Sequence, residues 1–507
     1  MSDCPDLVVA VDIGTTATKV GAYAPDGALV AEAERGYPLL APRPGWAEQN
    51  PDEIVAVAES LIAQVVADVG PSRVAGLAFS SAMHTLLALD GASRPLTPLT
   101  SWADTRAESQ ADRLRASGAG LALHRRTGTP VHPMSPMVRL AWFAENEPQL
   151  HARAVRWCGI KEYLLLRLTG ELVTDHSIAS ASGLMNLETL DWDPDALAVA
   201  GVSSSQLPAL VPTTGALTLA PDAATRVGLA AGTPVVVGAA DGPLANLGVG
   251  AVRPGMAACS LGTSGALRVV IDQPAVDPQG RVFCYALAPG LWVVGGAVTN
   301  GGIVMRWALE SLAPDLGPGA ERELLALAAQ APPGSAGLLM APYLLSERAP
   351  RWSSLAHGSY VGLTRDHRRE HLVRAAIEGV GLQLALVLAS MRAAGLPVEQ
   401  IRATGGVMRS ELWQQLLADI FGLPLDLTAG QQGSGYGAAI LGMAALGLID
   451  SIEQVAGTTP VVGTVAPIPE NVSVYSRLLP IYDGLYDALT PTFAALRAIA
   501  EGGPTTP

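Results

Sequence analysis

The strongest constraint on the fold of this chain is a strand–loop–strand pattern that occurs twice. The first copy is VVAVDIGTTATKVGAY (8–23), in which an apolar run leads into Asp12 and then Gly14-Thr15-Thr16. The second is ACSLGTSGALRVV (258–270), in which Gly262-Thr263-Ser264 holds the same place 248 residues later. A repeat at about half the chain length indicates duplicated domains. A length of 507 residues also exceeds what one hydrophobic core usually serves.

The first loop joins two strands of a hairpin. After it the chain continues as an apolar run to Tyr23, turns at Pro25-Asp26-Gly27 and resumes with a second apolar run, 28–31. This excludes a P-loop and a dinucleotide fingerprint, because both need a helix after the glycines. Backbone N–H groups and hydroxyls in such a loop can still bind an anion. The second copy has Ser260 where the first has Asp12, so the pair predicts a clamp for a polyphosphate and its Mg²⁺.

Two carboxylates follow apolar strands, where burial without a partner is unfavourable. One is Asp12, and the other is Asp241, which follows the run 233–240 and precedes a short Leu/Ala-rich helix. Strands and helices alternate along the chain, which indicates the α/β class. The predicted helices cover residues 52–69, 137–146, 161–169, 301–312, 369–394, 410–421 and 436–446.

Charge and composition exclude several classes of protein. The net charge of −14 argues against a nucleic-acid surface or an anionic membrane as partner. We expect no transmembrane helix and no secretory leader, because long apolar runs are interrupted and no basic region precedes one near the N-terminus. Four widely spaced cysteines predict reduced thiols in the cytoplasm.

With these motifs the chain resembles the FGGY carbohydrate kinases, nearly from end to end. VDIGTTATK and SLGTSG resemble the two phosphate loops of that family, ATGGVMRSELWQQLLADIFGLPL its adenosine segment, and GSGYGAAILG the helix behind it. HPMSPMVRLAWF resembles the N-terminal signature, with Arg139 where the pattern usually has Lys. Within the family, the segments SSAMHTL, SWADTRA, GTPVHPMSPM, VTNGGIVMRW and SERAPRW are most similar to gluconokinases, although xylulose kinases share the Met83-His84 pair.

The resemblance implies two actin-like, ribonuclease-H-type domains with a cleft between them. Residues 1–247 would bind the sugar and carry the first phosphate loop, and residues 248–507 would bind the nucleotide. The implied reaction is ATP-dependent phosphorylation of D-gluconate to 6-phospho-D-gluconate, with ATP and Mg²⁺ required. The implied partners are a small sugar acid and Mg-ATP, with no nucleic acid and no membrane, and a homodimer is left open.

The family motifs also imply a set of site residues. Asp241 would be the general base and Asp12 would hold Mg²⁺. The residues expected to contact ATP are Thr15, Thr16, Lys19, Thr263, Gly302, Gly406 and Ser410. The residues expected to contact the sugar are Met83, His84, Trp102, Asp104 and Met134.

Each assignment has a structural alternative. Asp12 could be a turn residue, Asp241 a helix cap, His84 a core histidine, and Asp104 half of a surface ion pair with Arg106. The hydroxyls could make ordinary turn hydrogen bonds, Gly406 and Ser410 could form a plain helix start, and the methionines could only pack. The candidates for binding a substrate carboxylate are Lys161, Arg106, Arg126 and His132. The rival functions are phosphorylation of xylulose, ribulose or glycerol, and a non-catalytic ATP-binding protein on the actin scaffold.

Overall fold

The computed structural model describes residues 5–428, 433–456 and 459–500. Cys4 and residues 501–507 lie outside the described residues. The strands are β1 (Leu7–Ile13), β2 (Ala17–Tyr23), β3 (Leu29–Gly36), β4 (Glu48–Gln49), β5 (Val74–Ser81), β6 (Leu87–Leu89), β7 (Leu99–Thr100), β8 (Arg156–Cys158), β9 (Val173–Asp175), β10 (Ala209–Val211), β11 (Ala216–Thr218), β12 (Pro234–Ala240), β13 (Met256–Leu261), β14 (Gly265–Ile271), β15 (Phe283–Ala288), β16 (Leu291–Val298), β17 (Leu339–Ala341), β18 (Ser359–Val361), β19 (Gln400–Thr404), β20 (Leu425–Thr428) and β21 (Val461–Val465).

Helices alternate with these strands through most of the chain. They are α1 (Pro51–Val69), α2 (Glu108–Ala116), α3 (Ala119–Thr127), α4 (Pro136–Asn146), α5 (Pro148–Arg153), α6 (Ile160–Thr169), α7 (His176–Ala181), α8 (Pro194–Ala200), α9 (Pro221–Val227), α10 (Asp241–Gly248), α11 (Ile303–Leu312), α12 (Glu321–Ala328), α13 (Arg369–Ala393), α14 (Glu411–Phe421), α15 (Ser434–Ala445), α16 (Ile452–Ala456) and α17 (Pro469–Ala500). The predicted α/β class is confirmed, and each predicted helix is found with its ends displaced by at most two residues.

The chain forms two compact units. Unit 1 comprises residues 1–254, 270–294 and 432–459, and unit 2 comprises residues 255–269, 295–431 and 460–507. The predicted boundary at 247/248 falls near the first change of unit, but two later segments also belong to unit 1. The assignment of a separate binding task to each half of the sequence stays a prediction.

The central sheet of unit 1 has the strand order β11-β12-β5-β1-β2-β3. Strand β1 is antiparallel to β2, as the hairpin interpretation predicts, and parallel to β5, which in turn is parallel to β12. Helix α1 begins where the sequence indicates, because Asn50 accepts the N–H groups of Asp52 and Glu53 and Pro51 occupies the first turn. Its apolar face lies in the same core as β1 and β5.

Helix α15 belongs to unit 1 although it lies late in the sequence. It packs on α10 and on strands β1 and β5. Two glycines allow this approach: a Cβ on Gly437 would lie 2.1 Å from the carbonyl oxygen of Leu244, and one on Gly442 would lie 2.6 Å from the Ala78 side chain. The N-terminus of α15 is thereby held beside the end of β1.

In unit 2, strands β14, β13, β19, β20 and β21 are neighbours in that order. Strands β13 and β14 form the second predicted hairpin, and β13 is parallel to β19. Helix α13 is long and apolar enough to cross a membrane by length and composition, but 89% of its most apolar window is buried inside the protein. That degree of burial is typical of a core helix.

Candidate active site

The candidate site in unit 1 lies where three parallel strands end. Strands β1, β5 and β12 run side by side, with Asp12 level with Ser80 of β5 and Ala240 level with Ser81. Asp12 and Asp241 therefore leave the sheet at the same edge, two strands apart. With neighbouring strands about 4.8 Å apart, their backbones are separated by roughly 10 Å.

Asp12 is a partly buried residue whose Oδ1 atom is enclosed, and its carboxyl is only partly hydrogen-bonded. Its Oδ2 accepts a hydrogen bond of 2.8 Å from the hydroxyl of Ser434, at the N-terminus of α15. In the part of the chain that the structure describes, its Oδ1 has no hydrogen-bond partner. Burial raises the pKa of this carboxyl, and the hydroxyls of Ser80 and Ser434 and the charge of Lys19 offset part of the rise. The Oδ1 atom of Asp12 therefore lies where its surroundings destabilise a negative charge.

The orphaned oxygen of Asp12 fits a magnesium site. Mg²⁺ prefers carboxylate oxygens and is commonly held by one or two of them, together with substrate phosphates and water. No cluster of three or more metal-ligating side chains occurs among residues 5–428, 433–456 and 459–500. Asp12 is therefore suited to hold the ion, as the sequence predicts.

A glycine bulge aims Asp241 away from its strand. The register of β12 against β5 breaks at Gly238, which has φ +77. A Cβ at this position would lie 1.7 Å from the carbonyl oxygen of Phe79. Since only glycine fits there, the bulge fixes the direction in which the chain leaves the sheet.

Asp241 is the first residue of α10. The hydroxyl of Ser177 accepts a 3.2 Å hydrogen bond from the N–H of Ala240 and so holds the preceding residue. The Oδ1 atom of Asp241 accepts the N–H of Gly242 at 2.7 Å, while Ala240 occupies the N-cap position. A helix-capping role would use the same contact, so the role of Asp241 as base stays a prediction.

Side chains from three other segments fasten the first phosphate loop. The hydroxyl of Tyr37 donates to the carbonyl of Gly14 at 2.5 Å, and the amide of Gln49 donates to the carbonyl of Thr15 at 2.8 Å. The indole N–H of Trp102 donates to the hydroxyl oxygen of Thr15 at 2.8 Å. Because that oxygen accepts from Trp102, the hydroxyl proton of Thr15 points elsewhere and can be donated to a phosphate.

Lys19 lies on β2 opposite Asp12, but its ammonium extends into solvent. Its side chain is 63% exposed and lies 3.5 Å from the carboxylate of Glu34 on β3. Such an exposed pair contributes little to stability. Thr16 is also exposed. Both residues are accessible to a phosphate, and their role as ATP ligands stays a prediction.

The predicted sugar residues lie in three segments of unit 1. His84 is buried, has φ +61, and lies 6.1 Å, centroid to centroid, from the ring of Tyr285. Met134 is buried and its N–H donates to the Nδ1 atom of His132, whereas Met83 is partly buried. The structure thus gives His84 a strained backbone, which is typical of functional positions but does not establish sugar binding.

Asp104 forms the expected pair with Arg106, and the pair is buried rather than on the surface. The guanidinium donates to both Asp104 oxygens, at 2.8 and 2.7 Å, and to Glu48 at 2.6 Å. Both partners are at most 3% exposed, and the guanidinium stacks 3.6 Å from the ring centre of Trp46. Asp104 also accepts the N–H of Ala47 at 2.8 Å. The backbone N–H of Arg106 is a fourth donor to this carboxylate, at 3.1 Å. Since a carboxylate accepts about four hydrogen bonds, its acceptor sites are filled in this structure, and its role as a sugar ligand stays a prediction.

The cations proposed for a substrate carboxylate are paired internally. Lys161 is 1% exposed and forms an ion pair with Asp175, which also caps α7. Arg126 pairs with Asp193 at 2.8 Å and with Asp195 at 2.9 Å. Arg106 is also paired, so in this structure all three cations form ion pairs within unit 1.

The loop of unit 2 that is predicted to bind phosphate is held by backbone hydrogen bonds from residues 301–303. The N–H groups of Gly301 and Ile303 donate to the carbonyl of Thr263 at 3.2 Å each. The N–H of Gly302 donates to the carbonyl of Gly262 at 2.7 Å, and a Cβ on Gly302 would lie 2.7 Å from that same oxygen. Gly302 therefore acts through its lack of a side chain, and Thr263 keeps its hydroxyl exposed.

A cavity of about 850 Å³ in unit 2 contains the other predicted nucleotide residues. Its wall includes Gly406 and Ser410, together with Met305 and Trp413. A Cβ on Gly406 would meet no atom within 4 Å, so this glycine borders open space. The hydroxyl of Ser410 caps α14, as the plain helix-start alternative predicts. The volume is within the usual range for small-molecule sites.

Sequence reasoning missed several residues that shape the site. Ser434 contacts Asp12 from 422 positions away, so no local pattern could connect them. Ser177 and Tyr37 are ordinary in sequence, and only the tertiary structure gives them their partners. A useful signal was the quoted segment GSGYGAAILG, whose serine and glycines form this contact and the close packing of α15.

The chain matches family models over both halves. Residues 7–248 match the N-terminal domain, and residues 257–446 the C-terminal domain, of the FGGY family of carbohydrate kinases. A relative named gluconokinase from Bacillus subtilis (strain 168) is 42% identical over 504 residues, which is 98% of this chain and 98% of the relative.

Solved structures with similar folds carry two different substrate names. A crystal structure described as gluconate kinase from Lactobacillus acidophilus is 35% identical, with a TM-score of 0.92 over 96% of this chain and 99% of that one. A structure described as ligand-bound xylulose kinase from the same organism has the same identity, TM-score and coverage. The likeness in fold is therefore strong and does not distinguish the two sugars.

Proposed function

The chain belongs to the FGGY family of carbohydrate kinases, with the actin-like fold of that family, and from this premise we propose that it phosphorylates D-gluconate to 6-phospho-D-gluconate. Members of the family are ATP-dependent phosphotransferases. The choice of gluconate rests on one observation, the 42% identity to a gluconokinase over nearly the full length of both chains. We place the reaction in the cytoplasm, where ATP is available.

In the proposed mechanism the reaction takes place at the edge of the unit 1 sheet where Asp12 and Asp241 lie. Asp241 accepts the proton of the 6-hydroxyl of gluconate as that oxygen attacks the γ-phosphorus of ATP, and ADP leaves. Support comes from the bulge at Gly238 and the hydrogen bond from Ala240 to Ser177, which hold Asp241 at the strand end. Phosphoryl transfer needs mainly positioning and neutralisation of charge, and a fixed carboxylate serves both orientation and proton removal.

The first loop would bind phosphate groups of ATP, including the group that is transferred. Thr15 and Thr16 donate to phosphate oxygens, with the Thr15 hydroxyl oriented by Trp102. Asp12 would hold Mg²⁺ through its orphaned oxygen; when bound, the ion neutralises charge on the phosphate oxygens. Gly302, Thr263 and the 850 Å³ cavity of unit 2 would bind the rest of the nucleotide.

The experiment that tests this proposal is an ADP-release assay on D-gluconate, D-xylulose, D-ribulose and glycerol. We expect kcat/KM for gluconate to exceed that of every other acceptor by at least about tenfold, or 1.4 kcal/mol in transition-state binding. Equal or faster reaction with xylulose would favour the alternative function, a xylulose kinase. Binding of ATP without phosphorylation of any acceptor would favour the non-catalytic alternative.

A further inference from the structure

The side chain of Arg139 connects the segments that carry the predicted sugar ligands. Arg139 lies on α4 and is fully buried. Its Nη2 donates to the carbonyls of His84 and, at 2.8 Å, Met134. Its Nη1 donates to the carbonyl of Ser101 at 3.0 Å and to the hydroxyl of Thr100 at 2.5 Å. One guanidinium therefore fixes His84, Met134 and the chain just before Trp102.

Charge pairing does not explain this arginine. Among the described residues, none of its hydrogen bonds goes to a carboxylate, because Arg106 takes both Asp104 and Glu48. Burial lowers the pKa of Arg139 to about 10, with Asp104 opposing and Arg106 reinforcing the shift, so the group is still protonated at neutral pH. What Arg139 provides is a planar fork of donors with fixed directions.

The backbone of His84 shows why the donors of the Arg139 guanidinium are needed. Its φ of +61 is unfavourable for a residue with a Cβ and needs support from its surroundings. The donor that reaches its carbonyl comes from Arg139, 55 positions later, and the same guanidinium sets the distance from His84 to the Ser101 and Met134 segments. Loss of the fork would release three segments at once.

We propose that Arg139 is a positioning residue for the acceptor sugar, a role that rests on the proposed kinase function. It touches no substrate, and it holds the backbones of the segments that do. Lysine at this place would keep the charge, but its three N–H donors could not satisfy all four acceptors. The effect of losing the fork should therefore appear in the binding of the sugar and not in that of the nucleotide.

The test compares Arg139→Lys, Arg139→Met and Thr100→Val with wild type, using ADP release and thermal unfolding. The best acceptor of the wild-type panel and ATP are each varied. We expect Arg139→Lys to raise KM for the acceptor at least about tenfold while KM for ATP stays within about twofold, because only the sugar segments are displaced. Arg139→Met should give a larger change in the same direction. Thr100→Val removes one acceptor of Arg139, together with the hydrogen bond from that hydroxyl to the carbonyl of Leu86, and should raise the acceptor KM by about two- to threefold.

Arg374→Lys is the matched control. Arg374 is a buried arginine of unit 2 whose guanidinium donates to Glu378 and Tyr475. We expect it to lower the unfolding temperature without a selective change in the acceptor KM. The proposal would be overturned if Arg139→Lys raised both KM values equally or raised neither. It would also be overturned if Arg374→Lys gave the same selective rise in the acceptor KM.

The experiment distinguishes a failure of this inference from a failure of the proposed function. Wild-type protein that phosphorylates no acceptor refutes the function and, with it, the role of Arg139. Active wild type with an unchanged Arg139→Lys variant refutes the role of Arg139 alone. If Arg139→Lys does not fold, Thr100→Val decides, and an unchanged acceptor KM in that variant counts against the proposal.

Discussion

The two phosphate loops share one sequence pattern and are held by different means. Side chains of Tyr37, Gln49 and Trp102 hold the loop of unit 1, and the turn at 301–303 holds the loop of unit 2 through backbone hydrogen bonds. The first loop follows a buried carboxylate, and the second follows Ser260. Two antiparallel hairpins with one sequence pattern thus have different surroundings.

The difference separates two ways of building a loop that we propose binds phosphate. In unit 1, burial raises the pKa of the Asp12 carboxyl, which is a stability cost kept at the strand end. In unit 2, glycine lets the backbone turn at 301–303 approach the loop within 2.7 Å. We expect carboxylate substitutions in unit 1 to affect turnover most and glycine substitutions in unit 2 to affect nucleotide affinity most.

The largest effect should come from Asp241→Asn. The change keeps the shape and the contact to the N–H of Gly242 but removes the proton acceptor. We expect kcat to fall at least ~10²-fold, the usual scale for a positioned general base, with gluconate binding retained by calorimetry. Steady-state rates and a thermal melt on the same preparation provide the measurement.

Asp222→Asn is the matched control for Asp241→Asn. Asp222 is an exposed acidic residue in the first turn of α9, so its substitution changes a helix terminus without entering the site. We expect near-normal turnover. A folded Asp241→Asn enzyme that also turns over normally would show that Asp241 only caps its helix.

Asp12→Asn should give the next largest effect and should act in opposite directions on rate and stability. Turnover should fall about 10- to 100-fold, because a group that neutralises charge in phosphoryl transfer is lost. The unfolding temperature in metal-free buffer at pH 7 should rise by about 2 °C or more, because a buried charge is removed. Asp426→Asn in unit 2 is the contrast, since both Asp426 oxygens accept hydrogen bonds and its loss should lower stability.

The pH dependence of that stability difference follows from the raised pKa of Asp12. A carboxyl whose pKa is higher in the folded than in the unfolded state binds more protons when folded, so it makes stability fall as pH rises from the unfolded pKa to the folded one. The gain from Asp12→Asn should therefore be largest above the raised pKa and vanish towards acid. A gain that is constant with pH would contradict the buried-charge explanation.

Local sequence patterns predicted the structural features that depend on residues adjacent in the chain. The two hairpin loops, the Asn50-Pro51 start of α1 and the strand before Asp241 are found where the sequence indicates. Each is determined by neighbours in the chain: a capping side chain, a turn or an apolar run. The same apolar runs placed Asp12 and Asp241 at strand ends, and the family resemblance then implied their roles.

Contacts across long sequence distances could not be predicted. Arg139 is basic in the motif, but nothing local says that it is buried against the carbonyls of three segments. The pairing of Lys161 with Asp175 is equally invisible in sequence, and for that reason Lys161 remained a candidate ligand. Burial decides these roles, and burial is a property of the assembled sheet and helices.

Gly302→Ala tests the backbone support of the second loop. The added Cβ would lie 2.7 Å from the carbonyl oxygen of Gly262, so the loop or α11 must shift. We expect KM for ATP to rise about tenfold with kcat changed less, since ground-state and transition-state binding are lost together. Gly484→Ala on α17, where a Cβ meets no atom within 4 Å, should leave both constants unchanged. A loss of kcat alone in Gly302→Ala would mean that the second loop also takes part in the chemistry.

The smallest effect should come from Trp102→Phe, which tests the side-chain support of the first loop. The change keeps an aromatic ring beside the sugar segment but removes the N–H that donates to the hydroxyl of Thr15. We expect kcat/KM for ATP to fall about threefold, the scale of one neutral hydrogen bond. A double-mutant cycle with Thr15→Val separates the two possible causes. If Trp102 acts by orienting that hydroxyl, its substitution has no further effect once the hydroxyl is gone, and the cycle gives a coupling free energy of about 0.5–1 kcal/mol. Additive losses would mean that Trp102 serves only as an aromatic wall, and the first loop would then depend on side chains less than its hydrogen bonds indicate.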